Sequence, residues 1–564
     1  LAKLTESPAP GGLSAPLSID EATPRALGRA CLATTLLLGP ILVATWTVPY
    51  FLTQDGPAHL YNAGIIARSF SPGSPYASHF EVHWQPLPNW SGHLLLAILL
   101  KVVPPWTADR IAMTITLLGF ALAIVWLRWV VRGDRGLIGA GLVAAVLAVN
   151  LPWLFGFTSF LLGSTFFAIT LGAWWAARDR LGPAAIAGVG MLLVVGYFCH
   201  LVSLGLTVLS LGFLAVFAPS ATGAPLDGPG RLRRLARTMA CGLPLLGLLP
   251  SYLRLAGRGG PMQPVWENIA DPRTVAGWKI RLTWIDPLTL AVKNMIPFHD
   301  GTSPLFAVFA PAIWFFGAAV VWLYGGFLAS RRGGMKAGPG EVWRFLAVGL
   351  LLAGLFSPDT LGPSHGGYLP QRLVLLALAA MVPALDLGTG RDFGRLAAGC
   401  LTVGLVVQSA IVWDYALYSQ RTAGQVATVR DLVGSNRRIA VLTAGIKDRF
   451  RTNPLLHADG WLGLENGNIL WNNYEAQHYY FPVQFRPGLD HPDPLDFERV
   501  ALQTDPRATE DAVALWRSIL EKHAAVIDEI VVWGRDPALD AITERWFEVI
   551  GARENIRIFG KKRP

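Results

Sequence analysis

The chain has 564 residues, 52% of them hydrophobic and only 15% charged, with a mean hydropathy of +0.41 and 21 tryptophans. That balance excludes a single soluble globule and predicts an α-helical polytopic membrane protein. The 47 Lys+Arg against 38 Asp+Glu leave a net +9, but no basic run interleaves with aromatics as a nucleic-acid stripe requires, so no nucleic-acid partner is expected and the excess is read as topological.

The Pro/Ser/Ala-rich opening, Ser7 to Pro24, reads as disordered, and residues 1–30 as a cytoplasmic tail. The first apolar run is long and lacks a small-residue cleavage site, so it is expected to stay as an anchor; a start at Leu1 leaves room for residues upstream. Spanning helices are predicted over Cys31 to Phe51, Ala108 to Val131, Gly136 to Leu154, Thr158 to Ala177, Gly182 to Cys199, His200 to Ala218, Ala236 to Leu253, Leu305 to Ala329, Val342 to Phe356, Leu373 to Leu387 and Leu396 to Trp413. Trp90 to Val103 has the length of an interfacial or re-entrant segment. Keeping it out of the count leaves Arg128, Arg132 and Arg135 cytoplasmic with Arg25 and Arg29. The turns at Arg178 and Arg180, at Arg231 to Arg237, at Arg331 to Lys336, and at Arg391 and Arg395 then agree. The topology is eleven spans, amino terminus inside and carboxyl terminus outside. The four cysteines, Cys31, Cys199, Cys241 and Cys400, lie in or at the ends of apolar runs, which argues against paired disulfides.

This topology gathers the polar chemistry on the external face, in loops 52–107, 257–301 and 357–372 and in everything after Asp414. Immediately after the first span stands Thr53-Gln54-Asp55-Gly56-Pro57-Ala58-His59-Leu60-Tyr61-Asn62. If the chain turns helical after Pro57, Asp55 and His59 lie one turn apart, within reach of one substrate atom or one ion. The competing reading has Asp55 only capping a helix that runs through Ile65 and Ile66 toward Arg68. The loop 257–301 mixes Trp266, Trp278 and Trp284 with Arg273, Lys279, Arg281 and Lys293, a composition suited to helices in the interface, whose cations serve as a surface collar or as headgroup contacts. His83 and His200 are acceptor or metal contacts in one reading and structural residues in the other. The run Ser364-His365-Gly366-Gly367-Tyr368-Leu369-Pro370-Gln371-Arg372 leaves a guanidinium where a span begins; it either snorkels or receives a lipid-linked phosphate beside a Gly-Gly turn.

Residues 415–564 have ordinary soluble composition and are expected to form one external α/β domain with a partly parallel sheet. Strands are predicted at Arg437 to Thr443, Ala524 to Trp533 and Ile556 to Gly560, with a helix over Ala508 to His523. No phosphate loop, nucleophile elbow or metal-ligand run occurs there. Its aromatic patch, Trp471-Asn472-Asn473-Tyr474 with His478, Tyr479 and Tyr480, either stacks on sugar faces or packs the domain onto the membrane collar. Because the span interiors are nearly free of ionisable groups, ion or proton coupling along a pore is disfavoured.

The acid just after the first span followed by a helix (Asp55-Gly-Pro-Ala-His59-Leu-Tyr), the interfacial segment in that loop, the Tyr-Leu-Pro-Gln-Arg372-Leu entry into a late span, and the external α/β tail ending Arg557-Ile558-Phe559-Gly560 together resemble the GT-C class of integral-membrane glycosyltransferases. The resemblance implies a transmembrane catalytic domain over 31–414 that moves a sugar from a polyprenyl-phosphate donor to a glycan, lipid or protein acceptor. The setting it implies is the external face of a bacterial cytoplasmic membrane. It implies inversion, with Asp55 as general base, His59 orienting Asp55 or the acceptor, and Arg372 with Lys279, Arg281 or Lys293 holding the departing phosphate. His83, His200 and His365 remain acceptor or metal contacts. Relatives often carry a second acid beside the first; here Gly56 follows Asp55, so a divalent cation (Mg2+ or Mn2+) stays open. Two alternatives stand: an undecaprenyl-linked polymerase or ligase, in which His59 or Arg281 would outrank Asp55, and a non-enzymatic lipid or glycan transporter or sensor.

Overall fold

The computed structural model describes residues 23–562 apart from 70, 222–225, 258–313, 323, 325–338, 359, 361, 363–366, 386–390, 446–454 and 505–506. The expected interface helices of 257–301, most of the predicted span Leu305 to Ala329, and the tail before Thr23 therefore lie outside the described residues.

From the amino end, α1 (Pro24–Leu37) and α2 (Gly39–Thr47) lead to the first loop, which holds α3 (Gly56–Arg68), β1 (Phe80–Val82) and α4 (Trp90–Leu99). The bundle continues through α5 (Pro105–Arg132), α6 (Leu137–Ala148), α7 (Leu151–Phe155), α8 (Thr158–Ala177), α9 (Pro183–Cys199), α10 (Leu201–Phe217), α11 (Gly228–Cys241) and α12 (Leu245–Ala256). It ends in α13 (Pro339–Phe356), α14 (Leu369–Met381) and α15 (Arg391–Val429).

Three described helices, Pro105–Arg132, Thr158–Ala177 and the rod over 392–429, are long and apolar enough to cross a membrane, and two bent pairs bring the number to five. Both bends sit inside segments expected to be straight. The run from Cys31 to Phe51 breaks by 47° at Gly39-Pro40, and that from Ala236 to Leu253 by 58° around Gly242 and Pro244. Proline lacks the N–H that would continue the ladder, and its ring clashes with the preceding turn. The run from Gly136 to Leu154 likewise divides, because Asn150 Oδ1 accepts from Trp153 N and starts a new helix. α9 and α10 have 17 residues each, about 25 Å of rise, just under the hydrocarbon thickness. The segment Trp90 to Val103 is short, as expected, with its helix ending at Leu99.

The last helix of the bundle, α15, runs unbroken from 391 to 429 and carries the chain out past residue 414. Its outer half buries Tyr415, Ala416, Ser419, Ala423 and Val426 at helical spacing. Ser419 accepts from Leu52 N (2.9 Å) and Tyr415 donates to Leu52 O (2.6 Å), so the helix grips the segment just before Asp55.

The carboxyl-terminal region follows as β2 (Arg438–Ala444), α16 (Gly460–Gly463), β3 (Ile469–Leu470), β4 (Val483–Phe485), α17 (Pro494–Leu502), α18 (Glu510–His523), β5 (Glu529–Gly534), α19 (Pro537–Trp546), β6 (Phe547–Arg553) and β7 (Ile556–Lys561). Five strands form one sheet in the order β3-β2-β5-β7-β6, with β2 parallel to β3 and β5, and β7 antiparallel to β5 and β6. β5 is buried along its whole length between β2 and β7.

This region and the first loop share a hydrophobic core. Leu60, Tyr61, Phe80, Trp90 and Ala112 pack in one cluster with Ile439, Trp461, Trp471 and Ile530. β1 pairs antiparallel with β4, Phe80 opposite Phe485, and Trp106 stacks on Trp461 at 3.4 Å between ring centroids. α16 approaches the backbone of α3 closely: a Cβ on Gly460 would lie 2.3 Å from Pro57 O, so only glycine fits there.

Candidate active site

A cavity of about 560 Å3 lies where the helical bundle meets the first loop and the carboxyl-terminal region. Asp55 and His59 from the first loop, His200 and Arg372 from the bundle, and Tyr474 and Tyr480 from the carboxyl-terminal region line its polar part.

Asp55 is fixed through its backbone. Its N–H donates to Phe155 O (2.9 Å) and Gln54 N donates to Leu154 O (3.1 Å). Gly156 permits that approach: its φ is +81°, and a Cβ there would sit 2.5 Å from Thr53 Oγ1. Asp55 occupies the N-cap position of α3, but its side chain makes no cap bond. Thr53 takes up the orphan donor, with Oγ1 accepting from Gly56 N at 3.1 Å. The carboxylate is left for other work. Gln54 Nε2 lies 3.4 Å from Oδ1 and His457 Nε2 3.8 Å. Burial pushes the Asp55 carboxyl up to about 6; Glu475 adds to that push, while His59 and hydrogen bonds from Gln54 and Tyr474 oppose it.

His59 makes its hydrogen bond to Glu475 and not to Asp55: Nδ1 stands 2.5 Å from Oε1, and the other Glu475 oxygen is 2.6 Å from His93 Nε2. Burial works to lower the His59 pKa, but the charge and hydrogen bond of Glu475 outweigh it and the net displacement is upward. Glu475 is fully buried; burial would raise its carboxyl, and the two imidazoles instead hold it down at about 2. The His59, His93 and Glu475 donor atoms lie within 4.8 Å of one another, so these three are the described residues able to hold a metal ion.

Arg372 enters the cavity from the first turn of α14, after Tyr368 in a left-handed conformation (φ +60°). Its Nη1 donates to His200 Nε2 at 2.7 Å, and its guanidinium carbon lies 4.9 Å from the Phe157 ring centroid. Its Nε is buried without a hydrogen-bond partner, and among the described residues no carboxylate pairs with it. A desolvated guanidinium in this state is a receptor for an anion.

Running on from His200, Leu201, Val202, Gly205, Leu206 and Leu209 line the cavity from one face of α10. His83 stands outside it at the end of β1, 2.8 Å from Glu81. Lys279, Arg281, Lys293 and His365 fall outside the described residues. The aromatic patch divides its roles: Tyr474, Tyr479 and Tyr480 line the cavity, while Trp471 is buried against Phe485 and His491.

Sequence reasoning passed over Glu475, His93, His457 and Glu498. His457 stacks on Tyr474 at 4.3 Å and stands 3.9 Å from Glu498 Oε1. Burial pushes its imidazole down to about 3, so it is neutral, and burial pushes Glu498 up to about 7, with Asp55 adding. No local motif marks these residues; the largely apolar run Leu455 to Leu464 around His457 and Asp459 was the available hint.

No family model matches the chain, and no curated protein matches it. Its fold is that of the GT-C class of membrane glycosyltransferases. Among solved structures, ArnT from Cupriavidus metallidurans bound to undecaprenyl phosphate superposes with a TM-score of 0.50 at 12% identity, covering 94% of this chain and 98% of that one. The apo oligosaccharyltransferase of Archaeoglobus fulgidus gives 0.48 at 12%, covering 90% and 69%; the mycobacterial arabinofuranosyltransferase AftD gives 0.47 at 14%, covering 96% and 42%. At these identities the likeness is one of fold.

Proposed function

We propose that the chain is a glycosyltransferase that moves a sugar from a polyprenyl-phosphate donor to a glycan, lipid or protein acceptor on the external face of a bacterial cytoplasmic membrane. The observation that carries this reading is one cavity with a carboxylate, Asp55, a guanidinium, Arg372, that has no carboxylate partner among the described residues, and an apolar wall along α10. Such a cavity matches an amphipathic donor: chain on the leucines, phosphate on the arginine, and the sugar beyond the phosphate toward Asp55. The fold shared with ArnT, which was solved with undecaprenyl phosphate, supports a lipid-phosphate partner.

In the reaction, Asp55 accepts the proton of an acceptor hydroxyl as that oxygen bonds to the anomeric carbon. The bond from that carbon to the phosphate oxygen breaks on the opposite side, and its electron pair leaves with the phosphate. Attack opposite the leaving group inverts the centre. Arg372 stabilises the charge that accumulates on the phosphate, and it does so best where water is excluded. Tyr474 lines the cavity with Asp55, and Tyr480 and Phe481 offer faces for the sugar.

The test is transfer from a panel of radiolabelled polyprenyl-phosphate sugars in membranes carrying the native chain or Asp55→Asn. Product from the native chain alone supports the reading. Retained lipid binding with no product from either chain would return the protein to the transporter or sensor class.

A further inference from the structure

We propose that His59, His93 and Glu475 form a binding site for one zinc-class divalent ion that clamps the carboxyl-terminal region to the two helices of the first loop. The ligands come from three separate segments: His59 from the first turn of α3, His93 from α4, and Glu475 from the short helical turn Tyr474–Gln477. None is more than 8% exposed.

The geometry makes the case. The three donor atoms lie within 4.8 Å of one another in a dry site, His59 Nδ1 2.5 Å from Glu475 Oε1 and His93 Nε2 2.6 Å from Glu475 Oε2. One divalent ion in place of the hydrogen-bond protons is attracted by all three ligands at once. The outer nitrogen of His93, Nδ1, lies 3.4 Å from Asn89 O. A backbone carbonyl on the outer nitrogen of a ligand histidine is the usual way such a ring is oriented.

The donor set names the class of ion. Two imidazoles and one carboxylate suit Zn2+ or Co2+, whereas Mg2+ and Ca2+ require shells of oxygen. The ion binds the site as a clamp, close behind Asp55 but not through it. The proposal therefore stands whether or not the chain transfers sugar.

The test uses the full chain in detergent, stripped with chelator, reloaded with Zn2+ and passed through a desalting column. Metal content by mass spectrometry, melting temperature and X-ray absorption at the zinc edge are read. The native chain is expected to retain one Zn2+ with a nitrogen/oxygen shell containing two imidazoles, and to melt higher with the ion than without it. Glu475→Gln and His93→Gln are expected to lower affinity by more than the roughly 100-fold that loss of an outer-shell partner costs. A native chain that retains no zinc, a shell containing cysteine sulfur, or full retention by folded Glu475→Gln would overturn the proposal. If neither variant folds, the absorption spectrum of the native chain decides alone.

Discussion

Replacing Asp55 by Asn should move stability and activity in opposite directions. The carboxyl is pushed from 3.8 up to about 6, so below 3.8 it is protonated in folded and unfolded chains alike and costs the fold nothing. As pH rises through 6 the folded protein must carry a buried charge that the unfolded chain carries freely in water. At pH 7 that amounts to about 3 kcal/mol against folding. Asparagine is uncharged, keeps an oxygen to accept from Gln54, and releases most of this cost, so thermal unfolding of Asp55→Asn in detergent at pH 7 should occur at a higher temperature than in the native protein. At pH 4 the two should converge. Transfer, by contrast, should fall roughly 100- to 10,000-fold, the contribution of a positioned base. In the native protein kcat/KM should drop about tenfold per pH unit below 6. An Asp55→Asn variant that melts lower at pH 7, or that transfers sugar at more than about a tenth of the native rate, refutes the reasoning.

Arg372→Gln removes two or more charge-assisted hydrogen bonds to a phosphate, each worth about 1.5–3 kcal/mol, and should raise the donor KM at least tenfold; unchanged donor affinity would show that the guanidinium only snorkels. His457 is buried neutral, with its pKa pushed from 6.5 to about 3, so the unfolded chain takes up a proton first and stability declines as pH falls from 6.5 toward 3. His457→Asn should flatten that decline in pH-dependent melting without moving the activity limb near 6. Gly460→Ala forces a Cβ to within 2.3 Å of Pro57 O and should cost about 1–3 kcal/mol in thermal unfolding, whereas Gly212→Ala, whose Cβ meets nothing within 4 Å, should not destabilise.

Much of the architecture was written in local pattern. The span predicted over Thr158 to Ala177 has those bounds in the structure, and strands stand at Arg438–Ala444, Glu529–Gly534 and Ile556–Lys561 close to where β-rich runs were read. Apolar periodicity failed where burial was shared with another part of the chain. After Trp413 the polar residues Asp414, Gln420 and Arg421 interrupt the apolar run, yet the helix continues because Tyr415, Ser419, Ala423 and Val426 form a narrow buried stripe. β6 escaped notice because Phe547 is its only fully buried side chain, and the register with β7, not hydrophobicity, defines it.

The site divides along the same line. Asp55 and Arg372 were legible because each stands at the end of an apolar run, where an ionisable group is conspicuous. Glu475 was not, since its surroundings in sequence are unremarkable and its partner His59 is 416 residues away. That separation has a functional consequence. The loop that carries Asp55 is gripped on one side by the bundle, through Phe155 O and Leu154 O, and on the other by the carboxyl-terminal region, through Glu475 and Gly460. The backbone bonds set the position of the carboxylate, and its burial, to which both sides contribute, raises its pKa, with Glu475 adding to the push. The carboxyl-terminal region is thus part of the cavity that holds Asp55, through Tyr474 and Tyr480.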